Sequence, residues 1–118
     1  MEADKLTAAL RKWAATQDDA RKAAVELICW HEFWLRRADF RAACVARYSG
    51  YTVIRWREAR EFAESGPRCS TSEEMVLRIA IAIALDDFGL AQFGSQHRRA
   101  VVRAFAAAVG LEVAFKGD

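Results

Sequence analysis

STSEEMVLRIAIAIALDD, residues 70–87, reads as a helix with a marked start and an apolar body. Ser70 with Glu73, and Thr71 with Glu74, each offer the reciprocal hydroxyl–carboxylate pairing that caps a helix N-terminus. Behind them Met75, Val76, Leu77, Ile79, Ile81, Ile83 and Leu85 leave almost no polar side. A helix that is apolar nearly all round has to be wrapped by other chain. This stretch therefore predicts a near-fully buried central helix over about 72–86, with Met75, Ile79 and Ile83 inside.

Outward from it, the rest of the chain supplies helices to do the wrapping. Leu6, Leu10 and Trp13 share one face of a helix over 3–15. Thr16 and Asp19 read as a capping box for the next helix. From there no Gly or Pro interrupts the chain until Gly50, so 17–48 is one long rod or two helices split near Asp39. Two apolar stripes run along it. One carries Ala20, Ala24, Leu27, His31, Trp34 and Ala38, the other Cys29, Phe33, Phe40 and Cys44. Ser49-Gly50 ends this segment, and a helix over 52–64 follows. Residues 51–54 are β-prone in composition, but the sequence offers them no evident partner strand. Ser65-Gly66-Pro67 opens a loop. Ser95 caps a last helix over 96–109 that turns Val102 and Phe105 inward, and Gly110-Leu111 stops it. Leu111, Val113 and Phe115 alternate like an extended tail. The expected fold is all-α: one helical domain over 1–118, a bundle of five to six helices.

Composition supports this. The chain has 118 residues, one proline and six glycines, and it is 53% hydrophobic and 29% charged. That is the profile of one globular domain able to bury a core without staples. About a fifth of the residues are alanine, the strongest helix former. The cysteines, Cys29, Cys44 and Cys69, are odd in number and form no Cys-x-x-Cys pair. No disulfide framework is implied, and a cytoplasmic location is expected. MEADKLTAAL lacks the basic start and apolar run of a signal peptide. The run 75–85 contains Arg78 and is too short to span a bilayer, so no membrane partner is expected.

A net charge of +2 argues against both an acidic nucleic-acid mimic and a polybasic coat. The charge is nevertheless uneven. Arg36, Arg37, Arg41, Arg47, Arg55, Arg57 and Arg60 face only Asp39 and Glu58 in their window, and the rest of the chain is slightly acidic. Trp34, Phe40, Tyr48, Tyr51 and Trp56 interleave with them. Arginine beside exposed aromatics suits protein hot spots and phosphate backbones alike. The plainer reading makes the aromatics core and the arginines their solvated face.

No catalytic, metal or cofactor signature stands out. His31-Glu32 lacks the second histidine of a zinc-protease helix, because Leu35 stands in its place. Cys29 and His31, two apart, diverge on a helix. His97, Ser95 and Asp86-Asp87 read as caps and helix ends, and no Gly-rich phosphate loop is present.

The expected function is a non-enzymatic interaction module, a regulator, adaptor or inhibitor of a larger assembly. Its partner is expected to be a protein, bound through Arg36, Arg37, Arg41, Arg47, Arg55, Trp56, Arg57 and Arg60. The alternative is DNA-binding regulation by a helix-turn-helix around Gly50. There Val45, Ala46, Gly50, Tyr51, Trp56 and Ala59 match buried spacings. Thr52, Val53, Ile54, Arg57, Glu58 and Glu61 would face the groove, where the β-branched residues and glutamates suit phosphate-rich DNA poorly. Because the 20–48 segment carries two apolar stripes, a homodimer is slightly favoured over a monomer, with Trp30, Phe33 and Trp34 at its interface.

Overall fold

The computed structural model describes residues 2–89 and 92–111, in two units divided after Asp87. Among the described residues it contains six α-helices and one small two-stranded sheet, a mainly-α architecture. The first unit holds α1 (Glu2–Ala14), α2 (Asp19–His31), a 3-10 turn (Trp34–Arg36) and α3 (Ala38–Cys44). The strands β1 (Val45–Tyr48) and β2 (Tyr51–Ile54) follow, then α4 (Trp56–Glu64) and α5 (Thr71–Ala84). The second unit holds α6 (Ser95–Ala108).

In the first unit α2 packs on α1 and α5, and α4 packs on α3 and α5. Leu10, Val25, Ile28, Trp34, Leu35, Phe40 and Leu77 are fully buried between these helices. Ala24, Ala59 and Ala80 are also fully buried. Their small side chains let the helix axes approach closely, which is one structural use of the high alanine content.

The caps follow the sequence closely at α5. Ser70 Oγ accepts from the Glu73 N–H at 3.2 Å, and the Ser70 N–H donates to Glu73 Oε1 at 2.7 Å. At α2 the cap is Asp18, accepting from the Arg21 N–H at 2.9 Å, while Thr16 instead bonds back to the Trp13 carbonyl. Asp18 wins because its carboxylate also meets the positive end of the helix dipole and the Arg21 side chain.

Three expectations about the course of the chain in the first unit are corrected. The helix over 72–86 is not wrapped on every side. Leu77, Ala80, Ile81 and Ala84 form one buried stripe at helical spacing, but Met75 is 48% exposed and Ile79 and Ile83 are only half-buried. An unbroken apolar run conceals which side faces the core; the alanines, where α2 approaches, decide it. The 17–48 segment is not one rod; a second α-helix does start beside Asp39, at Ala38, and Asp39 Oδ1 accepts from the Phe40 N–H at 2.8 Å. The segment breaks at Glu32, whose φ of 63° is left-handed, and turns through the 3-10 segment.

The third correction concerns 45–54. Val45–Tyr48 is a strand, and it is the missing partner of Tyr51–Ile54, in the register Val45↔Ile54 and Tyr48↔Tyr51. Ser49 (φ 52°) and Gly50 (φ 84°) form the two-residue turn between them. Positive φ at both central residues is what a primed hairpin turn needs to match the strands' twist. The helix expected over 52–64 accordingly starts only at Trp56, so no helix-turn-helix exists around Gly50. Val53 and Ile54 are buried, with α1 packed on β2.

In the second unit Phe88 packs edge-on against Phe105 at 6.1 Å. Gly94, not Ser95, occupies the N-cap position of α6. Gly110 is left-handed at φ 82°, and the Leu111 N–H returns to the Ala106 carbonyl, the expected helix stop. Val102 and Phe105, expected to face inward, are about half exposed, and Ala106 is the buried residue of α6. Apolar spacing marks a face; it does not supply the chain to cover it. The alternation expected at Val113 and Phe115 lies outside the described residues. Among the described residues no helix is long and apolar enough to cross a membrane.

Candidate functional site

The break at Glu32 builds a corner between α2 and the 3-10 turn. On a straight helix Trp30 and Trp34, four apart, would share one face. The left-handed residue between them sends the two indoles to opposite fates. Trp34 is fully buried and Trp30 is 75% exposed. Trp34 Nε1 donates to the Glu73 carbonyl at 3.0 Å, which ties the corner to the start of α5. Its ring meets Phe33, Phe40 and Phe62 at 4.9, 6.0 and 5.8 Å.

Arg37 locks the corner from outside. Its guanidinium lies over the Phe33 and Trp34 rings, 5.6 and 5.0 Å from their centroids. The same group grips both Asp39 oxygens, at 3.0 and 2.6 Å, and donates to the Arg68 carbonyl. The Arg37 hydrogen bonds hold the Asp39 carboxyl below its usual range, and Asp39 raises the Arg37 guanidinium in turn.

Two grooves meet at Glu32. One, about 510 Å³, is lined by His31, Glu32, Phe33, Arg36, Arg37 and Glu73. The other, about 380 Å³, runs between α1 and α2 past Asp4, Thr7, Ala8, Arg11, Cys29, Trp30 and Glu32. Trp30 therefore stands beside one groove, with the second immediately across Glu32. Cys29 lies in the α1–α2 groove with its thiol pushed up to about 11, chiefly by burial. That is the wrong direction for a nucleophile.

The arginines of 36–60 do not share this surface. Arg36 and Arg37 do, together with Phe33. Arg41 donates to the Leu35 carbonyl at 2.9 Å and lines a separate groove with Lys5, Leu6, Ala9, Val45 and Thr52. Arg47 reaches Thr52 Oγ1 on the neighbouring strand at 3.3 Å. Arg55 pairs with Glu58 at 2.7 Å, and Arg60 pairs with Asp87. Arg57 is exposed, without an ion-pair partner among the described residues. Trp56 is only 6% exposed and offers nothing to a partner, and the same holds for fully buried Trp34 as an interface residue. Of the second apolar stripe, read as needing another copy to cover it, Cys29, Phe40 and Cys44 are buried within the first unit and Phe33 is half-buried.

Sequence reading points to Trp30, Phe33, Arg36 and Arg37 but misses Asp4, Thr7 and Glu32. Nothing in the local sequence of α1 signals that its first two turns border Trp30. Among the described residues no three His, Cys, Asp or Glu side chains converge as a metal site would require. Compared with protein-family models, curated proteins and solved structures, the chain matches none.

Proposed function

We propose that this chain is a non-enzymatic protein-binding module whose contact surface is the corner from Trp30 to Arg37. One observation carries the reading: Trp30 is 75% exposed on the last turn of a packed helix, beside a groove. An indole is the side chain that gains most from being covered, and tryptophan and arginine dominate interface hot spots. Arg36, two-thirds exposed and held by Glu32 at 3.2 Å, supplies the polar rim. Phe33 and Arg37 supply a rigid floor, so little conformational freedom is lost on binding.

The test is photo-crosslinking in cells of the chain's own source, with a benzophenone amino acid at position 30. Lys22, exposed and two turns earlier on α2, serves as the control position. A specific protein adduct at position 30 and none at 22 is expected. An adduct that is a second copy of this chain would make the partner a homodimer mate. Equal labelling at both positions overturns the reading. Salt-dependent binding to duplex DNA that is indifferent to Trp30 would replace it with the nucleic-acid alternative.

A further inference from the structure

We infer that the groove between α1 and α2 receives a basic side chain of the partner, an arginine laid on the Trp30 indole. The inference rests on the contact surface proposed above and names what occupies part of it.

The charge of the groove supports a cation. Its ionisable members are Asp4, Arg11, Glu32 and Cys29. Arg11 is already satisfied: its Nε and Nη2 donate to the two Glu26 oxygens at 3.1 and 2.7 Å. That two-pronged pair cancels the one positive charge in the lining. Asp4 has no ion-pair partner among the described residues. Glu32 spends one oxygen on Arg36 at 3.2 Å and leaves the other open. Cys29, with its thiol pushed up by burial, stays neutral at physiological pH.

The groove thus has one spare carboxylate, a second that is half used, and the hydroxyl of Thr7 along its wall. Beside it lies an exposed indole face, whose quadrupole attracts cations. A planar guanidinium stacks on an indole and forks towards carboxylates at the same time, so arginine fits better than lysine. The chain itself shows the arrangement next door, where Arg37 covers Trp34 and grips Asp39.

The test uses two probes, the blocked tripeptides Gly-Arg-Gly and Gly-citrulline-Gly, titrated into the whole chain at low salt. The readout is the Trp30 indole N–H resonance, assigned with Trp30→Phe. Citrulline keeps the shape of arginine and removes its charge. Saturable shifts confined to Trp30 and α1, with arginine about two- to fivefold tighter than citrulline, are expected. Asp4→Asn should remove most of that preference and Trp30→Leu should abolish binding, with far-UV circular dichroism showing both variants fully folded at the temperature of the titration. Equal binding of the two tripeptides, or a preference that survives Asp4→Asn, overturns the inference. The two claims separate through the crosslinked partner. A partner lost on Trp30→Ala but held equally by Asp4→Asn defeats the cation and leaves the contact surface standing. A partner held equally by both variants defeats the surface itself.

Discussion

The Arg37 guanidinium carbon sits 5.0 Å from the centroid of the Trp34 ring while its nitrogens grip Asp39. One side chain thereby joins the 3-10 turn, the first turn of α3 and the loop at Arg68. Lysine has neither the plane to stack nor the fork to bind both oxygens. Arg37→Lys should therefore lower stability by about 1 kcal/mol or more. Trp34→Ala, which empties a fully buried site, should cost about 3–5 kcal/mol. Urea unfolding followed by far-UV circular dichroism measures both. An Arg37→Lys variant as stable as the parent would show that the stack and fork contribute nothing.

Asp39 gives that pair a pH signature. Its carboxyl lies below the ordinary 3.8 because Arg37 hydrogen bonds to the charged form. A carboxylate depressed in the folded state stabilises above its unfolded value and loses that contribution as pH falls through the folded one. Asp39→Asn should therefore be less stable than the parent at pH 7, with the gap closing below about pH 4. Thermal midpoints at pH 7 and pH 3 test this. A gap that is the same at both values would assign the loss to something other than the charge.

Burial pushes the Cys29 thiol up to about 11 and the Cys44 thiol to about 12. Neither forms thiolate at neutral pH, and neither is accessible. Cys69, half-buried in the loop before α5, should react first with a thiol reagent. The other two should follow only as the chain unfolds. Mass spectrometry of a labelling time course at pH 8 reads the order, and labelling of Cys44 ahead of Cys69 would contradict the packing described.

The two sides of α5 should respond differently. Leu77 is fully buried and Met75 is 48% exposed. Leu77→Ala should cost about 2–5 kcal/mol and Met75→Ala under about 1 kcal/mol. Equal costs from denaturant titrations would restore the helix wrapped on every side.

Periodicity and caps make α1 and α5 legible in the amino-acid order alone: Leu6, Leu10 and Trp13 share a face, and Ser70 with Glu73 marks a start. The break at Glu32 is not legible there, because a left-handed glutamate carries no compositional sign. The hairpin is half legible. Tyr51–Ile54 is β-prone, but Val45–Tyr48 looks like more helix, and Ser-Gly is a weaker turn signal than Asn-Gly. The site suffers most from the hidden break. Trp30, Phe33 and Trp34 are equivalent in composition, and only the turn at Glu32 makes one a surface feature, one a floor and one core. The seven arginines likewise form one cluster along the chain, yet most are held locally by neighbours on different elements, which sequence distance does not register.

Whether the Trp30 corner is a contact surface or a structural feature comes down to one paired measurement on Trp30→Ala. Its stability is compared with the parent's, and its affinity for the protein crosslinked at position 30 is measured by calorimetry. Because the indole is 75% exposed, unfolding free energy should change by no more than about 0.5 kcal/mol. Affinity should fall by at least about 30-fold, the loss of about 2 kcal/mol that marks a hot spot. Unchanged affinity would mean that the indole contributes nothing to a partner, and a loss of stability large enough to explain the weaker binding would mean that it serves the fold.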